Sequence, residues 1–378
     1  MGSKRQFGSC SRLTAALFVA VVLLSCSGRQ AVGQEEGDTL SLRHSRLLTI
    51  VDYGDYRKVD IGDPWNYGKT LHSYVLIKDS TVGILPEGTV IRVPVSRAIS
   101  FTTVHAALMA ELGKTDCLVG IGEGNYLKTP ALRSLYEEHA IEELGSALSP
   151  DVELIVDKSP DIVLVSPFEN SGGYGKLEGT GIPIVECADY MEVSPLARAE
   201  WMRFYGMLFG EERLADSLFT IVEKRYEELC DSARKFDSQP LVMVDKPMSS
   251  GVWYMPGGGS TLGRLIADAN ARYVLADEGK SGSIPLSIES AVDICSDADV
   301  WIFRYAGPEV SYGSLRAELK AYSLLRAFKE RRVYGCSTER TLFYEQTPFH
   351  PDMLLEEIIG IFHPEGGEGT YRYFKPVR

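Results

Sequence analysis

The stretch Glu211 to Phe236, EERLADSLFTIVEKRYEELCDSARKF, constrains this chain of 378 residues more than any other. Leu214, Leu218, Ile221, Val222 and Leu229 recur at steps of three and four, the period of an amphipathic helix. Glu211 and Glu212 fall in its first turn and Arg234 and Lys235 in its last, each sign complementing the helix dipole. Asp231 and Lys235 are spaced to pair at i,i+4, and Pro240 ends the run. At 1.5 Å per residue the helix would extend roughly 39 Å, enough to cross a domain. On either side, over about 110 residues, short apolar strands alternate with helical patterns, which predicts parallel α/β units. The expected fold class is therefore α/β. It consists of two Rossmann-like lobes with central, mostly parallel sheets, joined by a single long helix and preceded by a small β extension.

The N-terminus reads as a targeting segment. Lys4, Arg5 and Arg12 precede the apolar run Leu13 to Leu24, which is too short and too early for a spanning helix. Leu23-Leu24-Ser25-Cys26 resembles a bacterial lipobox, which implies cleavage after residue 25 and lipidation of Cys26. Residues 26–46 then contain a polar tether. The chain would be exported and held on a membrane by lipid alone. Beyond Cys10 and Cys26, five cysteines are scattered singly with no Cys-x-x-Cys spacing, and their pairing stays open. A formal net charge of -13 argues against a nucleic-acid backbone as partner.

In chain order, residues 47–88 form the β extension, with strands over Leu47–Asp52, Lys58–Ile61 and Ser73–Ile77. The loop with Asp63, Trp65 and Tyr67 reads as a turn that packs its aromatics on the neighbouring lobe. Residues 89–198 form the first lobe, which opens with a strand over Thr89–Val95 and continues into a helix through Glu111. Strands Cys117–Ile121, Ile162–Val165 and Ile184–Glu186 follow. Gly120-Ile-Gly122-Glu-Gly124 lacks the glycine at position 125 that a dinucleotide cradle needs. Residues 199–238 hold helices, including the long one at 211–236. Residues 239–364 form the second lobe, with strands Leu241–Asp245, one around Trp253, Val300–Phe303 and Val333–Cys336. Helices are expected over Leu315–Phe328 and Asp352–Phe362, and 365–378 is left as a tail.

One short pattern occurs twice. ELIVDKSPD at Glu153–Asp161 and ESAVDICSD at Glu289–Asp297 share Glu, then Val three on and Asp four and eight on. Each follows a serine suited to a helix start, and each leads into an apolar strand. Two lobes related by a pseudo-twofold axis would therefore present Glu153 and Glu289 at matched places. Exposed carboxylates so placed could grip one partner through charge-assisted bonds, preferably to arginine.

With the lipobox, the Val93-Pro-Val-Ser96 opening and the long helix, this repeat resembles the periplasmic substrate-binding proteins of iron-siderophore, haem and vitamin B12 ABC importers. The likeness spans Thr89 to His363. It implies a periplasmic monomer, held on the inner membrane by its lipid anchor alone, that delivers a metal chelate to a permease dimer with its ATPase. It also implies permease docking through Glu153 and Glu289. Cobalamin is the alternative cargo. The chain would need no resident cofactor or metal, although the cargo would carry iron or cobalt.

Enzyme constellations are thin. Ser260 misses the Gly-x-Ser-x-Gly elbow because position 262 is Leu. The six histidines show no zinc spacing, and only His105 and His350 fall where the lobes would face each other. A periplasmic hydrolase and a sensory module remain as other classes. Ligand contacts are expected after strands that end at the cleft. In the first lobe these are Arg97, Tyr126 and Phe168. In the second they are Trp253, Tyr254, Arg304, Tyr305, Arg340, Phe343 and Tyr344. Aromatics and arginines together suit a flat, anionic or conjugated cargo.

Overall fold

The computed structural model describes Gly2 and residues 37–78, 83, 85–169, 173–366 and 371–378. The chain divides into two units, Met1–Gly37 and Asp38–Arg378, and every element described belongs to the second. The predicted signal segment, Cys26 and most of the tether lie outside the described residues.

Asp38–Thr39 (β1), Leu48–Asp52 (β2), Tyr56–Gly62 (β3), Thr70–Ile77 (β4) and Thr89–Arg92 (β5) form one five-stranded sheet in that order. The expectation that Thr89–Val95 opens the first lobe is corrected here, because β5 pairs parallel with β4. Val93 N–H still donates to Ile77 O, but Pro94 has no N–H to offer and the ladder stops. Tyr74 of β4 ties this sheet to the next one. Its hydroxyl donates to Ile184 O at 3.1 Å and accepts from Glu186 N at 2.8 Å, so the extension covers an exposed strand edge. Asp63 caps a tight turn by accepting from Trp65 N and Asn66 N, which leaves Tyr67 fully exposed rather than packed.

The first lobe contains Ala98–Ser100 (β6), Thr103–Glu111 (α1), Leu118–Ile121 (β7), Pro130–Glu137 (α2) and Glu142–Glu143 (β8). A small hairpin follows (Gly145–Ser146, β9; Ser149–Pro150, β10), then Val152–Lys158 (α3), Ile162–Val165 (β11) and Ile184–Glu186 (β12). Its parallel sheet runs β12-β11-β6-β7-β8. Side chains alternate along β11, so Ile162 and Leu164 join the main core while Val163 and Val165 face a second, smaller one with Ile99 and Phe101.

Pro195–Glu200 (α4), Met202–Phe209 (α5) and Glu212–Ala233 (α6) link the lobes. The long helix is therefore present, but its buried stripe differs from the predicted one. Ala215, Phe219, Val222, Tyr226, Leu229, Cys230 and Ala233 face inward, whereas Leu214 and Ile221 are exposed. Ala215 docks on Gly206 of α5, where any Cβ would meet it at 2.5 Å, and this close approach sets the rotation of α6. At the C-terminal end Asp231 pairs with Arg234 at 2.6 Å instead of with Lys235.

The second lobe contains Leu241–Val244 (β13), Val252–Pro256 (β14), Thr261–Asp268 (α7), Arg272–Tyr273 (β15), Ser283–Ser287 (β16), Ile288–Cys295 (α8) and Val300–Tyr305 (β17). Tyr312–Glu318 (α9), Arg326–Lys329 (α10), Val333–Ser337 (β18), Phe343–Gln346 (α11), Pro351–Phe362 (α12) and Phe374–Pro376 (β19) complete it. The helix expected over Leu315–Phe328 is broken, because Leu319 is extended and a 3-10 turn at Lys320–Leu324 intervenes. The sheet runs β15-β13-β17-β18-β19, parallel except for β19, so part of the unassigned tail is an edge strand. The architecture is α/β, with two parallel-rich lobes joined through one long helix.

Candidate functional site

Strand order locates the site. Numbered within its lobe and read from one edge, the first sheet runs 3-2-1-4-5 and the second 2-1-3-4-5. Both reverse direction beside their first strand, at β6/β11 and at β13/β17. Open α/β sheets bind ligands at the carboxyl ends of strands where the order reverses.

At the reversal in the second lobe, Asp245 follows β13 and Arg304 lies near the end of β17. Asp245 adopts a left-handed backbone (φ 56°), which aspartate tolerates better than most residues. Its Oδ1 accepts from Arg304 Nε at 3.0 Å and its Oδ2 from Nη2. Burial works against the Arg304 charge, but the Asp245 charge and hydrogen bonds outweigh it and raise the guanidinium pKa. Arg304 also lies over Phe343, 6.0 Å from the ring centroid.

At the reversal in the first lobe, the Tyr190 hydroxyl donates to Pro167 O just beyond β11. The neighbouring Asp189 is fully buried and holds two side chains in place. His105 Nε2 lies 3.0 Å from its Oδ1, and Arg198 Nε donates to its Oδ2 at 2.9 Å. Burial alone would raise the Asp189 pKa, yet the Arg198 charge and the His105 hydrogen bond hold it below the usual range. A cavity of about 280 Å³ lies between these clusters, lined by Tyr190 and Arg198 on one side and by Arg304, Phe343 and Tyr344 on the other. The N-terminus of α7, capped by Ser260 through Gly263 N, also borders it. Two arginines, each steered through Nε by a carboxylate, thus converge on an aromatic wall.

Of the residues expected from sequence to line the cleft, Arg304, Phe343 and Tyr344 do so. Trp253 does not. It is fully buried, packs near Trp301 and Tyr322 and donates Nε1–H to Val244 O, which leaves no surface for a ligand. Tyr254 follows it on β14 and points outward, exposed. Arg97 precedes β6 rather than following a strand, so it sits at the amino end of the sheet, bonded to Lys158 O and Ser159 O. Tyr126 is exposed, and Phe168 borders a separate surface cavity with Tyr174. Tyr305 and Arg340 line another cavity in the second lobe. The sequence reading missed Arg198, Asp189, Tyr190 and Asp245, because their roles depend on pairings between segments far apart in the chain.

Glu153 and Glu289 are both exposed in the first turns of α3 and α8, whose N-caps are Asp151 and Ser287. These helices lead into β11 and β17, each paired with its lobe's first strand. The two glutamates therefore hold equivalent topological positions.

The lobes also touch through polar contacts beside the cleft. The nearly buried Glu345 accepts from Lys128 N at 2.7 Å and from Thr129 N and Oγ1 at 2.6 Å. His350 Nε2 lies 2.7 Å from Glu111 Oε1. Burial lowers the His350 pKa, but the Glu111 hydrogen bond and charge outweigh it and raise it; Asp352 adds to that effect and Arg372 opposes it. A raised folded-state pKa contributes stability below about pH 6.5, which is lost as pH rises through the folded value. The pair should therefore contribute on the order of 1 kcal/mol, reduced by the solvent exposure of Glu111. Urea midpoints of wild type and Glu111→Gln should differ most at about pH 5.5 and converge at about pH 8.5. An equal gap at both values would refute the pairing.

Elsewhere, His44, Glu223 and Glu227 bring three potential metal ligands within 4.8 Å of one another, but Arg43 already pairs with Glu223 at 2.8 Å. Cys117, Cys187, Cys230, Cys295 and Cys336 are free thiols. Among the described residues, no helix is long and apolar enough to cross a membrane.

Comparison with known proteins agrees with this fold. A family model described as "Periplasmic binding protein" matches residues 99–339, well over half of the chain. An uncharacterized lipoprotein of Methanocaldococcus jannaschii is 24% identical over 366 residues, covering 90% of this chain and 86% of its own. A periplasmic heme binding protein from Pseudomonas aeruginosa superposes with a TM-score of 0.59 at 17% identity, covering 75% of this chain and 98% of that one. An ABC-type Fe3+-hydroxamate transport protein from Saccharomonospora viridis gives 0.56 at 21% identity, covering 71% and 93%. At these identities the structural likeness is one of fold, and the family follows from the sequence match. The chain belongs to the periplasmic binding protein family.

Proposed function

We propose that this protein is the substrate-binding subunit of an ABC importer. It captures an anionic iron chelate, a siderophore or haem, between its lobes and delivers it to the permease dimer through Glu153 and Glu289. The observation that carries this reading is the convergence of Arg198 and Arg304 on one aromatic-walled cleft. Arg198 keeps both terminal nitrogens, and Arg304 its Nη1, beyond those the aspartates engage, which suits carboxylate or catecholate oxygens. Tyr190, Phe343 and Tyr344 offer ring faces to a conjugated body. The haem and hydroxamate proteins of like fold support an iron-chelate cargo, and the relative described as a lipoprotein supports an anchor at Cys26.

The cavity is slightly below the usual range for small-molecule pockets, so cargo enters in part or the lobes part to admit it. This favours a flat chelate over cobalamin. The long helix packs along its length into the main core, which limits such motion to a small hinge.

The test is a titration with haem, ferric siderophores and cyanocobalamin, read by tryptophan fluorescence. Haem or a ferric siderophore should saturate the protein, and Arg198→Ala and Arg304→Ala should each weaken binding by about tenfold. Tight cyanocobalamin binding that survives both substitutions would establish the cobalamin reading instead.

A further inference from the structure

Arg304 and Tyr305 are neighbours on β17 and so point to opposite faces of the sheet. Arg304 lines the inter-lobe cleft, whereas Tyr305 lines a second cavity of about 140 Å³ near the ends of β17 and β18 and beside β19. Arg340, Arg372 and Lys375 bring three positive charges to its lining, against one carboxylate, Glu309. Among the described residues none of these three cations forms a salt bridge, although Arg372 lies over the Tyr373 ring and its charge acts on the buried Glu357.

Two further features shape the cavity. Gly335 faces Lys375 across the β18–β19 pair, and a Cβ there would press the Tyr305 ring at 3.0 Å. Ser337 is only 7% exposed, lines the cavity, and has a buried hydroxyl without a hydrogen-bond partner. A buried hydroxyl in a native fold normally has a partner, so an orphan in a cationic cavity points to a missing acceptor.

We propose that this cavity is a second binding site, specific for a phosphate-type oxyanion and separate from the cargo cleft. Two guanidiniums and an ammonium from different segments match an anion with several acceptor oxygens and more than one charge. The volume equals that of about five water molecules, which admits a phosphate group with some hydration and excludes a metal chelate. Ser337 would donate to one oxygen, and the exposed cations would supply the rest of the coordination.

Thermal unfolding of the whole mature protein in inorganic phosphate, against chloride at matched ionic strength, tests the site. Wild type should show a saturable rise in melting temperature with phosphate. Arg340→Ala/Lys375→Ala should need at least about tenfold more phosphate for the same rise. Ser337→Ala removes an unsatisfied group, so it should melt no lower than wild type in chloride yet gain less from phosphate. The absence of a saturable rise in wild type overturns the proposal. So does a rise that survives in Arg340→Ala/Lys375→Ala but vanishes in Arg198→Ala, because phosphate would then occupy the cleft.

Discussion

Replacing Glu200 with alanine is expected to destabilise the fold by about 3–5 kcal/mol, the range for breaking a buried charged network. Its carboxylate is fully buried and accepts from the backbone N–H of Arg43, His44 and Ser45 at 2.8–2.9 Å, and from Arg203 Nη1 at 3.3 Å. Glu192 acts alongside it, accepting from Ser45 Oγ, Arg46 N, Leu47 N and Trp201 Nε1. These two carboxylates hold the segment that enters the β extension against the helices between the lobes. Hydrogen bonds to charged groups contribute about 1.5–3 kcal/mol each, and alanine leaves several donors without an acceptor. Urea unfolding would measure the loss, and hydrogen exchange should place faster opening at residues 43–47. Glu137→Ala removes only an exposed i,i+4 partner of Arg133 and should change stability by less than about 0.5 kcal/mol. A Glu200→Ala loss as small as that of Glu137→Ala would show that the network is not holding the segment.

Glu153→Ala/Glu289→Ala should abolish uptake while leaving cargo affinity unchanged. Both side chains are exposed, so their loss removes no core packing, and the unfolding midpoint should not move. Truncating one partner of a desolvated interfacial ion pair costs about 2–5 kcal/mol. Losing one pair on each lobe would therefore reduce permease binding by several orders of magnitude. Transport of radiolabelled iron chelate in cells carrying the double variant, beside a fluorescence titration of the purified protein, separates the two effects. Lost affinity with normal transport would reject the docking assignment. That outcome would leave the cleft reading to stand or fall on the Arg198 and Arg304 variants.

Local patterns foretold much of this molecule. The period of Glu211–Phe236 announces a long helix, and the apolar runs at Ile162–Val165 and Val300–Phe303 announce buried parallel strands. Ser260 and Ser287 cap helices as their positions suggest. The repeated Glu-x-x-Val-Asp pattern marks equivalent helices in the two lobes. These features depend on neighbours within a turn or two, so backbone geometry and side-chain sterics suffice to specify them.

Other features depend on residues far apart in the chain. Leu214 and Ile221 have the right period for burial, but Gly206 lets Ala215 approach closely and rotates Phe219 and Tyr226 inward instead. Trp253 resembles a ligand contact in sequence, yet it fills the main core beside Trp301. Most decisively, Arg198 becomes a cleft residue because Asp189 orients it, and Arg304 because Asp245 takes a left-handed turn at the end of β13. A carboxylate buried beside an arginine shapes a binding surface only after folding has excluded water and brought the two segments together. Periodicity thus names the elements, whereas the cleft comes from long-range contacts that periodicity does not encode.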